Sequence, residues 1–459
     1  MKDSVTRADA IVVGSGQGGV PLAAELAREG KRVVLFERGR IGGSCINYGC
    51  TPSKAFLAAA HGAGRARLAA SLGVRATVDV DFSAVMQRVR RIRDRFSNDL
   101  KKKLEAAGVH IVSARAAFSG PHEIEGGGIK VQAPIIVINT GTSALVPDTP
   151  GLAGTPFLTN ADFFDLSALP KSVAVMGGGY IGLELGQGLA RCGAQVHILD
   201  GNPRVLSREE PDASAELEKG LKADGVALLL GRRAKGVSYG AEGFAIDLDN
   251  GDRLRADALL VAVGRTPNTR DLACAAAGVE LDRRGYVVID ARFKTTVPGV
   301  YAIGDAAGQP AFTHVSWEDY RRLWTLLHGG ERTRDDRVLA YSTFTEPQVA
   351  RAGLTLSEAQ ARGLRARAVT LRMDSIARAI EWGHEFGFYR LVVDEETEKI
   401  LGATLVGYEA GEVVHAIVAH MEAGSTWRVL DRSVHIHPTY GEALPSLARL
   451  LESAGSAEA

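Results

Sequence analysis

The sequence predicts a multidomain α/β protein, and this prediction rests on chain length and an internal repeat. The chain has 459 residues, more than the roughly 250–300 at which a single hydrophobic core stops growing. Residues 10–39 and 173–202 align without a gap. Each contains, in order, a short apolar strand, a glycine-rich turn, an Ala/Leu-rich helix, a glycine turn and a second strand. Two similar βαβ units are therefore expected.

Each repeat carries three glycines between its first strand and its helix, spaced G-x-G-x-x-G. They are Gly14, Gly16 and Gly19 in the first repeat and Gly177, Gly179 and Gly182 in the second. The first glycine permits a tight turn, the second lets backbone approach a pyrophosphate, and the third lets helix pack on strand. The pyrophosphate then lies at the positive end of the helix. We therefore predict two Rossmann-like dinucleotide-binding domains.

An acidic residue ends the second strand of each repeat. Glu37 follows Gly14 by 23 residues, and Asp200 follows Gly177 by the same interval. A carboxylate at this position accepts hydrogen bonds from ribose hydroxyls. One glycine pattern alone could be a turn without a ligand, but two in register, each with its acid, predict two bound dinucleotides.

Composition limits the classes of partner. Basic and acidic side chains number 54 each, so no overall charge favours nucleic acid or an anionic membrane. We recognise no signal peptide and no apolar run of about 18 residues. Four cysteines are too few for a secreted disulfide framework. We expect a cytoplasmic protein that acts on small molecules and has neither a nucleic-acid nor a membrane partner.

An amphipathic helix is expected between the repeats. Its apolar residues recur every three or four positions, at Val85, Val89, Ile92, Phe96, Leu100 and Leu104. The basic run 88–103 could indicate nucleic-acid binding. Acidic residues are interspersed, however, which is typical of a solvated helix face, and we assign the run no function.

Two cysteines, Cys45 and Cys50, follow the first repeat. Thr51 is a suitable N-cap and Pro52 suits the first helical position, so Cys50 is expected at a helix N-terminus, where thiolates are stabilised. The pair could instead be half of a metal site, a structural disulfide or two unrelated thiols. Since no second cysteine pair or histidine pair has zinc spacing, we predict no metal site.

Four segments together resemble the class I pyridine nucleotide-disulfide oxidoreductases, the family of dihydrolipoamide dehydrogenase, glutathione reductase and mercuric reductase. They are GGSCINYGCTPSK (42–54), GGGYIG (177–182) with Glu184, GRTPN (264–268) and YAIGDAAG (301–308). The resemblance spans essentially the whole chain. It implies an FAD-dependent enzyme that passes electrons from NAD(P)H through FAD to a Cys45–Cys50 disulfide and then to a disulfide or related acceptor.

The resemblance also implies a role for each matching residue. Cys50 is the flavin-proximal thiolate, and Cys45 is the interchange thiol. Lys54 lies near the flavin ring, paired with Glu184, and Tyr180 covers the nicotinamide pocket. The residues expected at FAD are Gly14, Gly16, Gly19, Glu37, Arg38, Gly43, Ser44, Lys54, Thr140, Gly141, Gly264, Arg265, Gly304 and Asp305, with Asp305 on the ribityl chain. Those expected at NAD(P)H are Gly177, Gly179, Tyr180, Gly182 and Asp200.

The position of the cysteines decides which repeat binds which nucleotide. They must contact the flavin and they follow the first repeat, so FAD is expected there and NAD(P)H in the second repeat. The family architecture implies an FAD-binding domain at 1–145, an NAD(P)-binding domain at 146–268, an FAD-domain return segment at 269–338 and an α+β dimerisation domain at 339–459.

The charge of Asp200 should disfavour the 2′-phosphate of NADPH, so NADH is the preferred donor. NADPH remains possible, because Arg204 and Arg208 follow in a loop that could reach a phosphate.

The segment 435–442 resembles the family's His-Pro-Thr active-site motif. By this resemblance His437 is the acid/base beside the substrate thiols, is oriented by Glu442, and reaches the site of the partner subunit in a homodimer with shared active sites. His437 could instead be structural, and Thr439-x-x-Glu442 is also a capping box. His435 should lie on the opposite face of an extended segment. Gly441 replaces the usual serine, so details of the pocket do not transfer.

The electron acceptor stays open at this stage. No cysteine follows Cys274, which argues against mercury reduction, and residues 311–322 (AFTHVSWEDYRR) differ from the pattern of the lipoamide enzymes. That stretch and residues 376–380 look more like a mercuric-reductase-like branch that includes a copper-reducing flavoprotein. A metal-ion (mercuric or copper) reductase and a flavin-binding scaffold without disulfide turnover are therefore alternatives to a disulfide reductase.

Overall fold

The computed structural model describes residues 6–455. Its strands are β1 (Thr6–Arg7), β2 (Ala10–Val13), β3 (Val33–Phe36), β4 (His110–Val112), β5 (Ala117–Gly120), β6 (Glu123–Gly126), β7 (Ile129–Gln132), β8 (Ile135–Ile138), β9 (Thr142–Ala144), β10 (Ser172–Met176), β11 (Gln195–Asp200), β12 (Ala227–Leu230), β13 (Ala234–Gly240), β14 (Gly243–Leu248), β15 (Arg253–Ala256), β16 (Ala258–Val261), β17 (Arg265–Pro267), β18 (Val300–Ala302), β19 (Ala340–Thr343), β20 (Gln348–Gly353), β21 (Ala366–Arg372), β22 (Phe388–Asp394) and β23 (Ile400–Gly407). Its α-helices are α1 (Gly19–Arg28), α2 (Gly43–Tyr48), α3 (Cys50–Leu68), α4 (Phe82–Ala106), α5 (Tyr180–Cys192), α6 (Pro211–Ala223), α7 (Cys274–Ala277), α8 (Thr313–Leu327), α9 (Leu356–Ala361), α10 (Ala377–Trp382), α11 (Ala410–Glu422), α12 (Trp427–Arg432) and α13 (Ala443–Gly455).

Each sequence repeat forms the centre of a parallel sheet. The first sheet has the order β18-β8-β2-β3-β4 and the second has the order β12-β11-β10-β16. The repeat strands β2 and β3 pair in parallel, as do β10 and β11. Strands β2 and β3 are buried along their whole length, as expected for a parallel sheet covered on both faces. The two predicted Rossmann-like units are therefore present.

The C-terminal part is built differently. Its five strands form an antiparallel sheet with the order β19-β20-β23-β22-β21. Buried residues of α11 and α13 share one apolar core with this sheet, and Trp427 and Tyr389 are among the large side chains in that core. This arrangement confirms the predicted α+β domain at the C-terminus.

The chain leaves the first sheet after β8 and returns to it as β18, which pairs in parallel with β8. Near the two crossings, β9 and β17 pair antiparallel, so that Thr142 lies opposite Pro267 and Ala144 opposite Arg265. This short ribbon joins the two parallel-sheet units at the carboxyl ends of β8 and β16. Among residues 6–455, no helix is both long enough and apolar enough to cross a bilayer.

Helix α4 is the expected amphipathic helix. Its N-cap is Asp81, whose carboxylate accepts a hydrogen bond from the Ala84 backbone N–H at 2.9 Å. The prediction that Phe96 belongs to the buried face is wrong, since 48% of this residue is exposed. The buried stripe instead passes through Arg93 and Ser97, whose polar ends are satisfied by hydrogen bonds within the protein. Phe96 therefore lies at the edge of the stripe.

Candidate active site

Two large cavities adjoin the glycine turns of the two repeats. The first has a volume of about 1470 Å³, and Gly14, Cys45 and Cys50 are among its lining residues. The second has a volume of about 1080 Å³, and its lining includes Gly177 and Asp200. Both cavities lie at the carboxyl ends of parallel strands, where α/β sheets bind ligands. They share the lining residues Thr142, Tyr180, Ile181, Arg265, Asp305, Ala311, Phe312, Tyr341 and Ser342.

The glycine turns leave no room for larger residues. A Cβ at Gly14 would lie 2.3 Å from the backbone oxygen of Asn139, and one at Gly177 would lie 2.4 Å from that of Ala262. Both glycines have a positive φ, +101° and +116°. A Cβ on Gly19 would lie 2.2 Å from the backbone oxygen of Gly14, and one on Gly182 would lie 2.1 Å from that of Gly177. The turns therefore have the tight packing that a pyrophosphate-binding loop requires.

The two strand-end acids hold equivalent loops. Glu37 accepts a hydrogen bond from the Ser15 backbone N–H at 2.9 Å, and Asp200 accepts one from the Gly178 backbone N–H at 2.6 Å. Glu37 also accepts a hydrogen bond from the backbone N–H of Gly39 at 2.8 Å, and Asp200 accepts one from that of Asn202 at 2.7 Å. Carboxylate oxygens have further lone pairs, so each acid can still accept from a ribose hydroxyl. The repeats match in geometry as they do in sequence, and each fits an adenine dinucleotide.

The other residues predicted to contact a cofactor divide between the two cavities. Those that line the first are Gly16, Glu37, Arg38, Gly43, Ser44, Lys54, Thr140, Gly141, Arg265 and Asp305. Gly264, expected with FAD, lines the second cavity, because it follows β16 at the carboxyl edge of the second sheet. Gly304 is buried against Ser316 behind the first cavity.

The reactive cysteine Cys50 is the first residue of α3. Gly49 is the N-cap and no side chain caps the helix, so the prediction that Thr51 is the N-cap is wrong. The backbone turns into the helix two residues earlier than the Thr-Pro pattern suggests. Cys45 and Cys50 are free thiols, and the Cys50 sulfur lies 3.1 Å from the Thr313 hydroxyl.

The surroundings of Cys50 favour its thiolate. The hydrogen bond from Cys45 has the largest effect, and the charge of Lys54 and the hydrogen bond from Thr313 add to it. Although burial opposes them, these groups lower the pKa of Cys50 to about 6. The same contact with Cys50 raises the pKa of the Cys45 thiol. At neutral pH the two sulfurs therefore differ in charge, with Cys50 ionised and Cys45 protonated.

We expect Thr313→Val to raise the apparent pKa of Cys50 by about 1, because the thiolate loses a hydrogen-bond donor. The measurement is the pH dependence of the long-wavelength absorbance that a thiolate produces beside oxidised flavin. Thr313→Ser, which keeps the hydroxyl, is the control and should titrate like the wild type. A Val variant with the wild-type titration would show that Thr313 does not bond the thiolate.

Lys54 and Glu184 lie together above the cysteines. The Lys54 Nζ is 2.7 Å from a carboxylate oxygen of Glu184, and the Glu184 side chain is only 5% exposed. The second carboxylate oxygen accepts from the Phe344 backbone N–H at 2.9 Å, and Lys54 lies over the Phe344 ring at 4.5 Å. Phe344 comes from the C-terminal domain, so sequence analysis of the cysteine motif could not find it.

Tyr180 lies in the wall between the cavities. Its ring centroid is 5.9 Å from that of Phe312, which stacks on Tyr341 at 4.9 Å. Asp305 is on the same wall and accepts a hydrogen bond from the Thr142 hydroxyl at 2.6 Å. Phe312 was part of the stretch 311–322 that marked a departure from the lipoamide enzymes, but the sequence assigned it no role.

Arginines surround Asp200 in the second cavity. Arg208, Arg232 and Arg233 are lining residues, the last two from the connection between β12 and β13. The Arg204 guanidinium instead donates to backbone oxygens of its own loop, so it is not turned toward a phosphate as the sequence suggested. Arg232 and Arg233 were missed because they are far from the glycine motif along the chain.

His437 projects from the loop before α13, and its side chain is 72% exposed. Its Nδ1 is 2.7 Å from a carboxylate oxygen of Glu442. The Glu442 backbone N–H donates to the Thr439 hydroxyl at 3.2 Å. Only that half of the capping box forms, because the carboxylate is used by His437. His435 is held between Ser433 and a backbone oxygen, so the two histidines have different surroundings.

Comparison with known proteins assigns the chain to a family. Residues 8–319 match the model of the pyridine nucleotide-disulphide oxidoreductases. The chain belongs to this family. Residues 339–448 match the dimerisation domain of the pyridine nucleotide-disulphide oxidoreductases, which covers most of the antiparallel C-terminal sheet.

Relatives with different names match the chain at similar identity. It is 31% identical over 453 residues to the probable pyridine nucleotide-disulfide oxidoreductase RclA of Escherichia coli, covering 96% of this chain and 99% of that one. It is 32% identical over 455 residues to the dihydrolipoyl dehydrogenase of Thermus scotoductus, and the alignment covers 96% of this chain and 97% of that one. It is 33% identical over 468 residues to the mercuric reductase of Streptomyces lividans, and the alignment covers 99% of this chain and 98% of that one.

A solved Cu(II) complex of the HOCl-induced flavoprotein disulfide reductase RclA from Escherichia coli has the same fold. It aligns with a TM-score of 0.89 and 30% identity, covering 97% of this chain and all of that one. This oxidoreductase is therefore an FAD-dependent enzyme that uses NAD(P)H, as the sequence predicts. The family, the fold class, the enzyme class and the two cofactors are confirmed.

Proposed function

We propose that this oxidoreductase uses NAD(P)H bound in the second cavity to reduce Cys45 and Cys50 through FAD bound in the first, and that the two thiols then reduce a disulfide. The observation that carries this proposal is the position of Cys50, which lines the first cavity as the first residue of α3, with its sulfur 3.1 Å from the hydroxyl of Thr313, the residue after Phe312 of the wall shared with the second cavity. A cysteine pair in which one sulfur is ionised and the other protonated has the asymmetry that thiol–disulfide exchange requires.

We assign FAD to the first cavity because the cysteines line it and its glycine turn fits a pyrophosphate. FAD held there would supply a hydride acceptor for NAD(P)H and a two-electron donor for the cysteine pair. The residues that would hold FAD are Gly14, Gly16, Gly19, Glu37, Arg38, Gly43, Ser44, Lys54, Thr140, Gly141, Arg265, Gly304 and Asp305. Those that would hold NAD(P)H are Gly177, Gly179, Tyr180, Gly182, Asp200 and Gly264.

The FAD domain then comprises residues 1–145 and 269–338, the NAD(P) domain comprises residues 146–268, and the interface domain comprises residues 339–459.

The chain's own residues manage the thiols and protons. His437 from the partner subunit accepts the Cys45 proton, and the resulting thiolate attacks the acceptor disulfide to form a mixed disulfide. The protonated imidazole returns its proton to the released thiolate. The Cys50 thiolate then attacks the Cys45 sulfur, which restores the Cys45–Cys50 disulfide and releases the second half of the acceptor as a thiolate, which takes a proton from solvent. Glu442 orients the imidazole through the contact at Nδ1.

We place the enzyme in the cytoplasm as a homodimer. The dimerisation domain supports the assembly, and among the described residues His437 lines neither cavity of its own chain. A second subunit would bring this histidine to the cysteines. The other two cysteines, Cys192 and Cys274, are buried free thiols, which suits a reducing compartment.

A metal ion is the second candidate acceptor. Two observations favour it: a relative is named a mercuric reductase, and RclA has been solved as a Cu(II) complex. Steady-state rates with lipoamide, oxidised glutathione, Cu(II) and Hg(II) at one NADH concentration decide between the classes. We expect a disulfide to give the highest kcat/KM. A metal ion that exceeds every disulfide would overturn this choice.

We expect the wild-type enzyme to prefer NADH over NADPH by roughly 10- to 100-fold in kcat/KM, worth about 1.4–2.7 kcal/mol. A 2′-phosphate about 4 Å from the Asp200 carboxylate would cost up to about 4 kcal/mol at an effective dielectric of about 20. Arg208, Arg232 and Arg233 reduce this cost. Asp200→Asn, which keeps the side-chain shape and removes the charge, should narrow the preference. A wild type that favours NADPH at the same ionic strength would show that the arginines dominate.

A further inference from the structure

The loop that carries His437 is held by a segment that the proposed reaction does not use. This anchor segment comprises residues 376–386 (IARAIEWGHEF) and contains α10. The Arg378 guanidinium donates a hydrogen bond to the backbone oxygen of Pro438, which directly follows His437. The His384 Nδ1 is 2.8 Å from the Tyr440 hydroxyl. Two side chains of the anchor segment thus bind two of the three residues after His437, Pro438 and Tyr440.

His384 is itself fixed in place. Its ring stacks on that of Tyr408 with centroids 4.1 Å apart, and the Tyr408 ring lies 5.6 Å from that of Tyr440. Tyr440 is only 9% exposed. Burial lowers the pKa of His384 and raises that of Tyr440, so the hydrogen bond joins a neutral imidazole and a neutral phenol. The bond joins two packed groups of defined protonation.

His437 has little support of its own. Its exposed imidazole has Glu442 as its hydrogen-bond partner among the described residues, and the neighbouring Val434 and Ile436 are 98% and 80% exposed. The direction of the imidazole therefore depends on the backbone that follows it. That backbone is the part bound by Arg378 and His384.

We propose that Arg378 and His384 are positioning residues, which hold residues 438–440 so that His437 keeps the direction in which it reaches the cysteines of the partner subunit. This inference rests on the proposed role of His437 as the acid/base. It assigns a function to the anchor segment. From the sequence, only residues 376–380 of this segment were noted, because they resemble one branch of the family.

The anchor segment is linked through Tyr408 to helix α3, which begins with Cys50. The Arg65 guanidinium of α3 lies 4.9 Å from the centroid of the Tyr408 ring on which His384 stacks. The loop that serves the partner's cysteines is therefore packed, through Tyr408 and His384, against the helix that carries the chain's own cysteines. Both groups of catalytic residues are therefore connected through the contacts of Tyr408.

The test compares three variants with the wild-type holoenzyme. His384→Leu removes the hydrogen-bonding ring nitrogen, His384→Asn keeps a hydrogen-bonding amide near the position of Nδ1, and Tyr440→Phe removes only the hydroxyl. Stopped-flow measures flavin reduction by NADH and, separately, reoxidation of the reduced enzyme by the best disulfide. We expect His384→Leu and Tyr440→Phe to slow reoxidation roughly 10-fold, with flavin reduction unchanged and with His384→Asn close to wild type.

The same variants are then combined with His437→Ala. If the anchor acts through His437, His384→Leu slows reoxidation no further in that background. The inference would be overturned if His384→Leu and Tyr440→Phe both reoxidised at the wild-type rate. It would also be overturned if His384→Leu slowed reoxidation by the same factor with His437 present and with His437→Ala. If His384→Leu does not retain FAD, the reoxidation rate of Tyr440→Phe decides whether the inference holds. If His437→Ala alone leaves reoxidation unchanged, the proposed role of His437 fails and the inference fails with it.

Discussion

Replacing Cys45 by serine is expected to lower disulfide reduction roughly 1,000-fold or more, while FAD stays bound and NADH is still oxidised slowly by oxygen. Cys45 is the protonated sulfur of the pair and the one assigned to attack the acceptor. A serine hydroxyl cannot form a mixed disulfide. The glycine turn and the Lys54–Glu184 pair, which border the FAD cavity, are untouched by the change.

The matched control for this variant is Cys192→Ala, which removes a buried thiol on α5 away from the reactive pair. It should keep wild-type turnover. Turnover is measured with a saturating disulfide, and bound FAD is measured from the flavin absorbance of the purified protein. Disulfide reductase activity retained by Cys45→Ser would show that this cysteine is not the interchange thiol.

Replacing His437 by alanine is expected to slow reoxidation by a disulfide roughly 100-fold or more, the usual scale for a positioned acid/base. Flavin reduction by NADH should be nearly unchanged, because His437 does not line the second cavity, where the nicotinamide enters. Stopped-flow separates the two half-reactions. Equal slowing of both would indicate structural damage and contradict the assigned role.

A mixed dimer tests whether His437 serves the other subunit. One subunit carries His437→Ala and the other carries Cys45→Ser, so that one of the two sites retains both native residues. Verified mixed dimers should regain about half of the wild-type activity per dimer. Mixed dimers as inactive as the parents would contradict a shared site.

The parts of the site that depend on local backbone geometry could be predicted from the sequence. Gly19 and Gly182 are required because a Cβ would meet the backbone oxygen of the first glycine of the same turn, and such a requirement is visible within a single βαβ unit. The equivalent positions of Glu37 and Asp200 follow from the same short repeat. Each of these features lies within about thirty residues of its partners, so residue spacing alone reveals it.

The remaining residues of the site come from segments far apart in the chain. Thr313 approaches Cys50 from the start of α8, and Phe344 approaches Glu184 from the C-terminal domain. No spacing rule links such positions, because tertiary packing alone brings them together. Local propensity also failed in detail: Thr51 lies inside the first turn of α3, and Phe96 lies outside the buried stripe of α4.

The central claim is that electrons from NAD(P)H pass beyond the flavin to Cys45 and Cys50. Anaerobic titration of the oxidised holoenzyme with NADH tests it directly, because the number of electrons taken up per FAD is counted. We predict two electrons beyond the two that FAD holds, with long-wavelength thiolate–flavin absorbance at the first stage of reduction. Uptake limited to the two electrons of FAD, without that absorbance, would contradict the claim and leave a flavin-binding protein without disulfide turnover.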